Sequence, residues 1–196
     1  MAKVPVMGRV KTRLAREIGA VEATRFYRHA LAAVLGRVAR DSRWETSLAV
    51  APDPGVASRA LPASITRHAQ GSGDLGRRMQ RIMQHRAPGP LIIIGTDIPA
   101  ITAAHIAAAF QALRGRDAVL GPAPDGGYWL VGLRRSPRIL QPFRPVRWSS
   151  ATTLTDTTAN LAGCSIGHAA RLSDVDTAAD WHQFRNGFGR RVPLCT

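Results

Sequence analysis

Four short segments of this chain gather residue types that can handle a phosphate, a cation or a small polar ligand. The first is Gly8-Arg9-Val10-Lys11-Thr12-Arg13. A glycine lets the backbone approach a phosphate closely, and Lys11 and Arg13 supply neutralising charge, the arginine as a planar fork suited to phosphate oxygens. The loop is not a Walker A motif, because no second glycine stands directly before Lys11. The same residues also read as a basic turn entering a helix. The second segment is Gly95-Thr96-Asp97-Ile98-Pro99, directly after the apolar run Leu91 to Ile94. A carboxylate there suits a Mg²⁺ held by one or two protein carboxylates and by substrate phosphates. The plainer reading makes Asp97 a turn or cap residue.

The third segment, Asp125-Gly126-Gly127-Tyr128, can present backbone N–H groups to a ligand. It is also ordinary hairpin chemistry between two strands. The fourth is Asp174-Val175-Asp176-Thr177 with Asp180 following. Thr177 and Asp180 have the spacing of a capping box, which accounts for one aspartate or two but not for three. A second metal ligand from this segment is therefore expected. Gln70-Gly71-Ser72-Gly73-Asp74-Leu75-Gly76 is a further glycine-rich turn, able to clamp a base or ribose or simply to serve as a loop with Asp74 as N-cap. The histidines, His105 and His182 among them, show no metal-ligand spacing, and no serine or cysteine sits in a nucleophile elbow.

These segments need a scaffold, and the hydrophobic pattern supplies one. Short apolar runs alternate with amphipathic stretches, the pattern of βα units on a mostly parallel sheet. Strands are expected at 46–51, 65–69, 91–94, 118–120, 128–133 and 166–172. Helices are expected at 24–40, from near Asp74, from Thr102 as N-cap to Leu113, at 152–161, and from Asp176 or Thr177 to about Phe188. Leu91 to Ile94, apolar on both faces, predicts a buried parallel strand. Three of the four segments then fall at strand ends, where open α/β sheets bind their ligands. One domain over residues 1–189 is expected, with a frayed tail at 190–196.

Composition narrows the classes. The formal charge is +14, and among 27 basic residues only Lys3 and Lys11 are lysines. The arginines are scattered along the chain, not gathered into a tract or interleaved with aromatics, which argues against a specific nucleic-acid surface. Salt-sensitive adhesion to polyanions is still expected. No run approaches the roughly 20 apolar residues of a membrane span, and no signal-peptide pattern opens the chain. Cys164 and Cys195 read as reduced thiols, so a cytoplasmic location is expected.

In order, these segments resemble a bacterial family of glycosyltransferase-A-like domains of unassigned activity, related to nucleotidyltransferases such as phospholactate guanylyltransferase. The residues that carry the resemblance are Lys3-Val4-Pro5, Gly8 to Ala15, Gly73 to Gly76 with Met79, and Gly95 to Pro99. They continue through Gly121 to Ala123, Asp125 to Tyr128, Gly132, Trp148-Ser149 and Asp174 to Thr177 with Asp180. The resemblance implies a three-layer α/β/α sandwich with a nucleotide pocket over half of the sheet. It places a triphosphate on Gly8, Lys11, Thr12 and Arg13, and the base near Gln70, Gly73, Leu75 and Gly76. It gives Mg²⁺ or Mn²⁺ to Asp97 and Asp176, and the acceptor to Asp125, Gly126, Gly127 and Tyr128. Lys11, Arg13 and Asp97 would be the catalytic residues.

Two departures stand out. Arg77 replaces a usual glutamate, and the apolar strand that normally precedes Lys3 is missing, so a native start upstream of Met1 is expected. The resulting reading is a metal-dependent transferase of a nucleoside triphosphate or nucleotide-sugar to a small-molecule acceptor. Nucleotidyl transfer stands slightly ahead of glycosyl transfer, and a non-enzymatic polyanion-binding domain is the third reading. The acceptor, the base and the oligomeric state are not legible.

Overall fold

A computed structural model of the protein describes residues 1–188. The tail expected at 190–196, with Cys195 in it, and the boundary at 189 lie outside the described residues. The strands are β1 (Ala2–Lys3), β2 (Ser47–Ala51), β3 (Thr66–Ala69), β4 (Leu91–Ile94), β5 (Ala118–Pro122), β6 (Tyr128–Leu133) and β7 (Ile166–His168). The helices are α1 (Thr12–Ile18), α2 (Ala20–Val38), α3 (Leu75–His85), α4 (Ala103–Leu113), α5 (Thr153–Ala159) and α6 (Ala178–Phe188).

Strands β1, β2 and β3 form a parallel sheet in that order, and β4, β6, β5 and β7 form a second sheet. The N-terminus joins the two. Ala2 and Lys3 pair with Val50 and Ala51, while the Met1 ammonium donates to the Ile94 carbonyl at 2.6 Å. The Thr96 hydroxyl donates to the Met1 carbonyl at 3.2 Å. Ala2 and Lys3 thus form a short strand beside β2, directly before the Gly8 loop.

The strand β6 runs antiparallel to both β4 and β5, and β7 runs parallel to β5. It follows that β4, β5 and β7 all point the same way and end at one edge of the sheet. This corrects the expectation that β4 pairs in parallel within its sheet: its partner there is antiparallel β6, with Leu91 opposite Leu133 and Ile94 opposite Leu130. An apolar run reports cover on both faces and carries no information about direction. That cover is real. Ile92 and Ile94 pack with Val34, Val38 and Ile106 of α2 and α4, whereas Leu91 and Ile93 pack with Met79 and Met83 of α3. Helices therefore clothe both faces, and the architecture is mixed α/β with three layers.

Local chemistry explains where the helices start. The Asp74 carboxylate accepts from the Arg77 N–H at 2.7 Å and caps α3. Thr102 and His105 form a reciprocal capping box at the start of α4, which gives His105 a structural task. Several arginines are consumed in the same way. The Arg67 guanidinium donates to the carbonyls of Val56, Ser58, Leu61 and Pro62, and buried Arg135 donates to those of Met83, Arg86, Ala87 and Gly89. Part of the positive charge thus ties loops to the body and is withdrawn from any polyanion surface. No helix among the described residues is long and apolar enough to cross a membrane.

Candidate active site

Three segments far apart in sequence meet at the edge where β4, β5 and β7 end. The Lys11 ammonium lies 2.7 Å from Asp176 Oδ1, 2.9 Å from Asp97 Oδ2 and 3.9 Å from Asp174 Oδ2. Its side chain is only 5% exposed, against 38%, 31% and 36% for Asp97, Asp174 and Asp176. A lysine has thus been withdrawn from water into the middle of three half-open carboxylates. Arg13 Nη1 stands 3.8 Å from Asp176 Oδ2 and is itself well exposed.

Each side chain is aimed by buried neighbours. Lys11 adopts a left-handed conformation, φ 45° and ψ 47°, at the N-cap of α1, between buried Val10 and buried Leu14. Such a conformation is strained for a residue with a Cβ and persists where its surroundings hold it. Asp97 stands between buried Thr96 and buried Ile98. Gly95 leaves the space its carboxylate needs, since a Cβ there would lie 3.0 Å from Asp97 Oδ1. Asp174 and Asp176 flank buried Val175, so the alternation of an extended segment turns both carboxylates one way.

Val175 packs with Leu14 and Phe26, beside Trp181 and Phe184 of α6. The Glu17 carboxylate of α1 accepts from the Ala178 N–H at 2.8 Å. The helix that Lys11 caps and the segment bearing Asp176 are therefore locked together. Asp180 is spent on capping: its Oδ2 accepts from the N–H groups of Asp176 and Thr177, and Thr177 Oγ1 accepts in return from the Asp180 N–H.

The electrostatics follow from this geometry. Burial opposes the charge on Lys11, but Asp97 and then Asp176 outweigh it and hold the ammonium pKa above its ordinary value. Asp174 moves the other way for a carboxylate. Burial first and Asp176 second push its pKa up to about 6, with Asp97 and Asp125 adding to the effect and Lys11 opposing it. Three carboxylates share one buried ammonium, and the cluster is short of positive charge.

A stability prediction arises here. Because the folded pKa of Asp174 lies above its unfolded value, ionising it penalises the native state. The penalty grows as pH rises from about 4 to about 6 and is complete above that. Asp174→Asn in chelator should therefore exceed the wild type by about 1 kcal/mol at pH 7, a value reduced for solvent screening, and by almost nothing at pH 4. Urea unfolding of both proteins at the two pH values measures this. An advantage independent of pH would contradict it.

The remaining candidate residues divide. Gly8 is exposed with φ 73° and no atom within 4 Å of a Cβ position, so its loop has open space before it. Thr12 opens α1 and is exposed. Asp125 is exposed in the β5–β6 hairpin, where its Oδ1 accepts from the Gly127 N–H at 2.9 Å, and its charge reaches Asp174. Tyr128 turns elsewhere: it packs in the α3-side core, and Thr157 Oγ1 lies 3.4 Å from its hydroxyl. Gly126 lies against the backbone of Ala151.

Gln70 is buried, its amide donating to the carbonyls of Ala2 and Ala49, which makes it a pin between β1 and β2. Gly76 has a packing reason of its own, since a Cβ there would meet the Phe143 carbonyl and the Trp148 ring at 2.7 Å. Gly73 lies under the Arg77 side chain, and Leu75 is exposed. Sequence reasoning singled out Asp176 as the partner of Asp97 and did not single out Asp174. The apolar residue between two aspartates was the signal that both face one way.

The sequence model of one bacterial family, described as "Uncharacterized protein conserved in bacteria (DUF2064)", matches residues 34–150. The chain belongs to the DUF2064 family. That match takes in Asp97 and the Asp125 turn, while Lys11 and Asp174 to Asp176 lie outside it. The wider relation of this DUF2064 chain comes from solved structures. It is similar to a protein of Desulfovibrio desulfuricans G20 provisionally described as a nucleotide-diphospho-sugar transferase, at 29% identity and a TM-score of 0.84, over 98% of this chain and 88% of that one. It also shares its fold with a homologue of Mycobacterium tuberculosis Rv0371c from Mycobacterium sp. strain JC1, at 16% identity and a TM-score of 0.53, over 82% and 83% of the two chains. No curated protein matches the chain.

Proposed function

We propose that this protein is a transferase that takes its donor group from a nucleotide, most simply a nucleotide-diphospho-sugar, and passes it to a small-molecule acceptor. The observation that carries the reading is the convergence of Lys11, Asp97, Asp174 and Asp176 at the edge where β4, β5 and β7 end. Its choice of donor leans on the likeness to the Desulfovibrio protein. The donor's diphosphate would lie along the open Gly8 loop, facing Lys11 and exposed Arg13.

Among the described residues, no group of three or more His, Cys, Asp or Glu side chains forms a metal cage. Mg²⁺ does not need one, because it binds through one or two carboxylates plus phosphates and waters. The carboxylates of Asp97 and Asp176 both lie within 3 Å of the Lys11 ammonium, so both reach one cationic centre, the donor set Mg²⁺ uses. They would hold Mg²⁺ or Mn²⁺, and the cation would supply charge to offset the leaving diphosphate. Lys11 and Arg13 would bind the same phosphates and hold them still. Asp125, on the lip of the site, would meet the acceptor.

A second reading, nucleotidyl transfer from a nucleoside triphosphate, is favoured by one observation. Arg9, Lys11 and Arg13 set three cations along the turn at Gly8 and the first turn of α1. Incubation with nucleotide-sugars and with nucleoside triphosphates, each with and without Mg²⁺, separates the readings by product. Free nucleoside diphosphate marks glycosyl transfer, and pyrophosphate marks nucleotidyl transfer. A thermal-shift screen of the same ligands checks binding, since a ligand that prefers the native state raises its stability. No metal-dependent shift with any nucleotide, together with salt-sensitive RNA binding indifferent to Asp97→Ala, would replace both readings with a polyanion-binding domain.

A further inference from the structure

The point where Asp97 and Asp176 converge is taken by a side chain of the protein itself. Lys11 Nζ lies 2.7 Å from Asp176 Oδ1 and 2.9 Å from Asp97 Oδ2, in contact with both oxygens that a bridging cation would use. A divalent ion at its ordinary distance of about 2.1 Å from those oxygens cannot share that space with an ammonium. Like charges that close repel strongly at a half-buried site. Lys11 has a way out, because its four-carbon stem is flexible and the neighbouring Gly8 turn has open space before it.

From this geometry we propose that Lys11 is an exchangeable counter-cation, which holds Asp97 and Asp176 together in the empty site and leaves when a divalent cation arrives. Displaced, its ammonium becomes available to the phosphates of the incoming nucleotide. The inference rests on the reading of Asp97 and Asp176 as the cation's carboxylates. It adds that Lys11 offsets part of the carboxylate charge before a cation binds and that metal and lysine compete for the same oxygens. The consequence is an order of events: cation binding frees the phosphate-binding lysine, so nucleotide and cation bind with positive coupling.

The chain contains only two lysines, Lys3 and Lys11, and this makes the exchange directly visible. Selective ¹³Cε-lysine labelling gives two NMR signals, and Lys3→Arg assigns them. On addition of Mg²⁺ alone, the Lys11 signal should move from a value set by its ion pairs to that of a solvated lysine, following the saturation measured by calorimetry. A Lys11 signal unmoved at saturating Mg²⁺ overturns the proposal. Calorimetry on Lys11→Met gives the second arm. With the competitor removed, Mg²⁺ should bind about tenfold tighter than to the wild type, while nucleotide binding at saturating Mg²⁺ weakens.

Equal Mg²⁺ affinity in Lys11→Met and wild type also overturns the proposal. Asp97→Asn separates this failure from failure of the underlying reading. If Asp97→Asn abolishes Mg²⁺ binding while Lys11→Met leaves it unchanged, the carboxylates bind metal and the competition is wrong. If Mg²⁺ binding is absent from the wild type and from Lys11→Met alike, the metal site itself is wrong, and the exchange falls with it.

Discussion

Replacing Asp97 with asparagine should lower turnover about a thousandfold and remove Mg²⁺-dependent stabilisation by nucleotide, while leaving the fold intact. The size follows from what the residue does in the proposed reaction. Asparagine keeps the shape and one oxygen but loses the charge that binds the cation, and charge placed against a developing anion is commonly worth two to three orders of magnitude in rate. The fold survives because Thr96 and Ile98 on either side stay buried and Lys11 keeps Asp176 at 2.7 Å. Removing one of three carboxylates around a single ammonium also eases their mutual repulsion. The wild-type and variant urea midpoints should therefore agree closely while the rates differ. An Asp97→Asn protein with wild-type turnover would end the transferase mechanism given above. One that fails to fold would mean that Asp97 is mainly the structural counter-ion of Lys11.

Much of this arrangement could be read from the sequence, and the reasons differ by element. Helix α4 is legible to the residue, because Thr102 is a good N-cap and the apolar period runs unbroken to Leu113. Strand β4 is legible in extent but not in direction, since burial on two faces is all its side chains report. Strand β1 is not legible because two residues carry no pattern; its register on β2 and the Met1 contacts with Ile94 and Thr96 make it visible only in three dimensions.

Within the candidate site, Lys11 and Asp97 could be chosen by residue type and by position at strand ends, and Asp176 by the family resemblance. Their meeting could not be read, for it depends on the docking of α6 against α1 and α2, through the Phe184 contact with Phe26, Trp181 and the Glu17 contact with Ala178. Gln70 shows the reverse case. A polar residue before a glycine-rich turn looks like a ligand contact, yet its amide serves two buried carbonyls, an obligation that only the packed sheet creates.

The glycines after Asp125 pose the same choice between ligand and scaffold, and Gly126→Ala decides it. Gly126 has φ 84°, where an alanine is strained by roughly 1–2 kcal/mol. Its missing Cβ also faces the Ala151 carbonyl, whose carbon would lie 2.5 Å away. That neighbour is backbone, and it cannot swing aside as a side chain would. The Gly126 carbonyl meanwhile accepts from the Leu154 N–H at 2.9 Å, which ties the hairpin to the first turn of α5. An added methyl group must therefore push the start of α5 away and stretch that bond. The combined cost should be about 3 kcal/mol, lowering the melting temperature by roughly 6–12 °C in a domain of this size. Gly163→Ala is the matched control: φ there is 76°, but a Cβ would meet nothing within 4 Å, so only the backbone strain remains. A Gly126→Ala protein no less stable than Gly163→Ala, yet impaired in acceptor use, would return this glycine to the substrate side of the hairpin. The larger loss expected would assign Gly126 to the scaffold of the turn, with Asp125 as its exposed carboxylate.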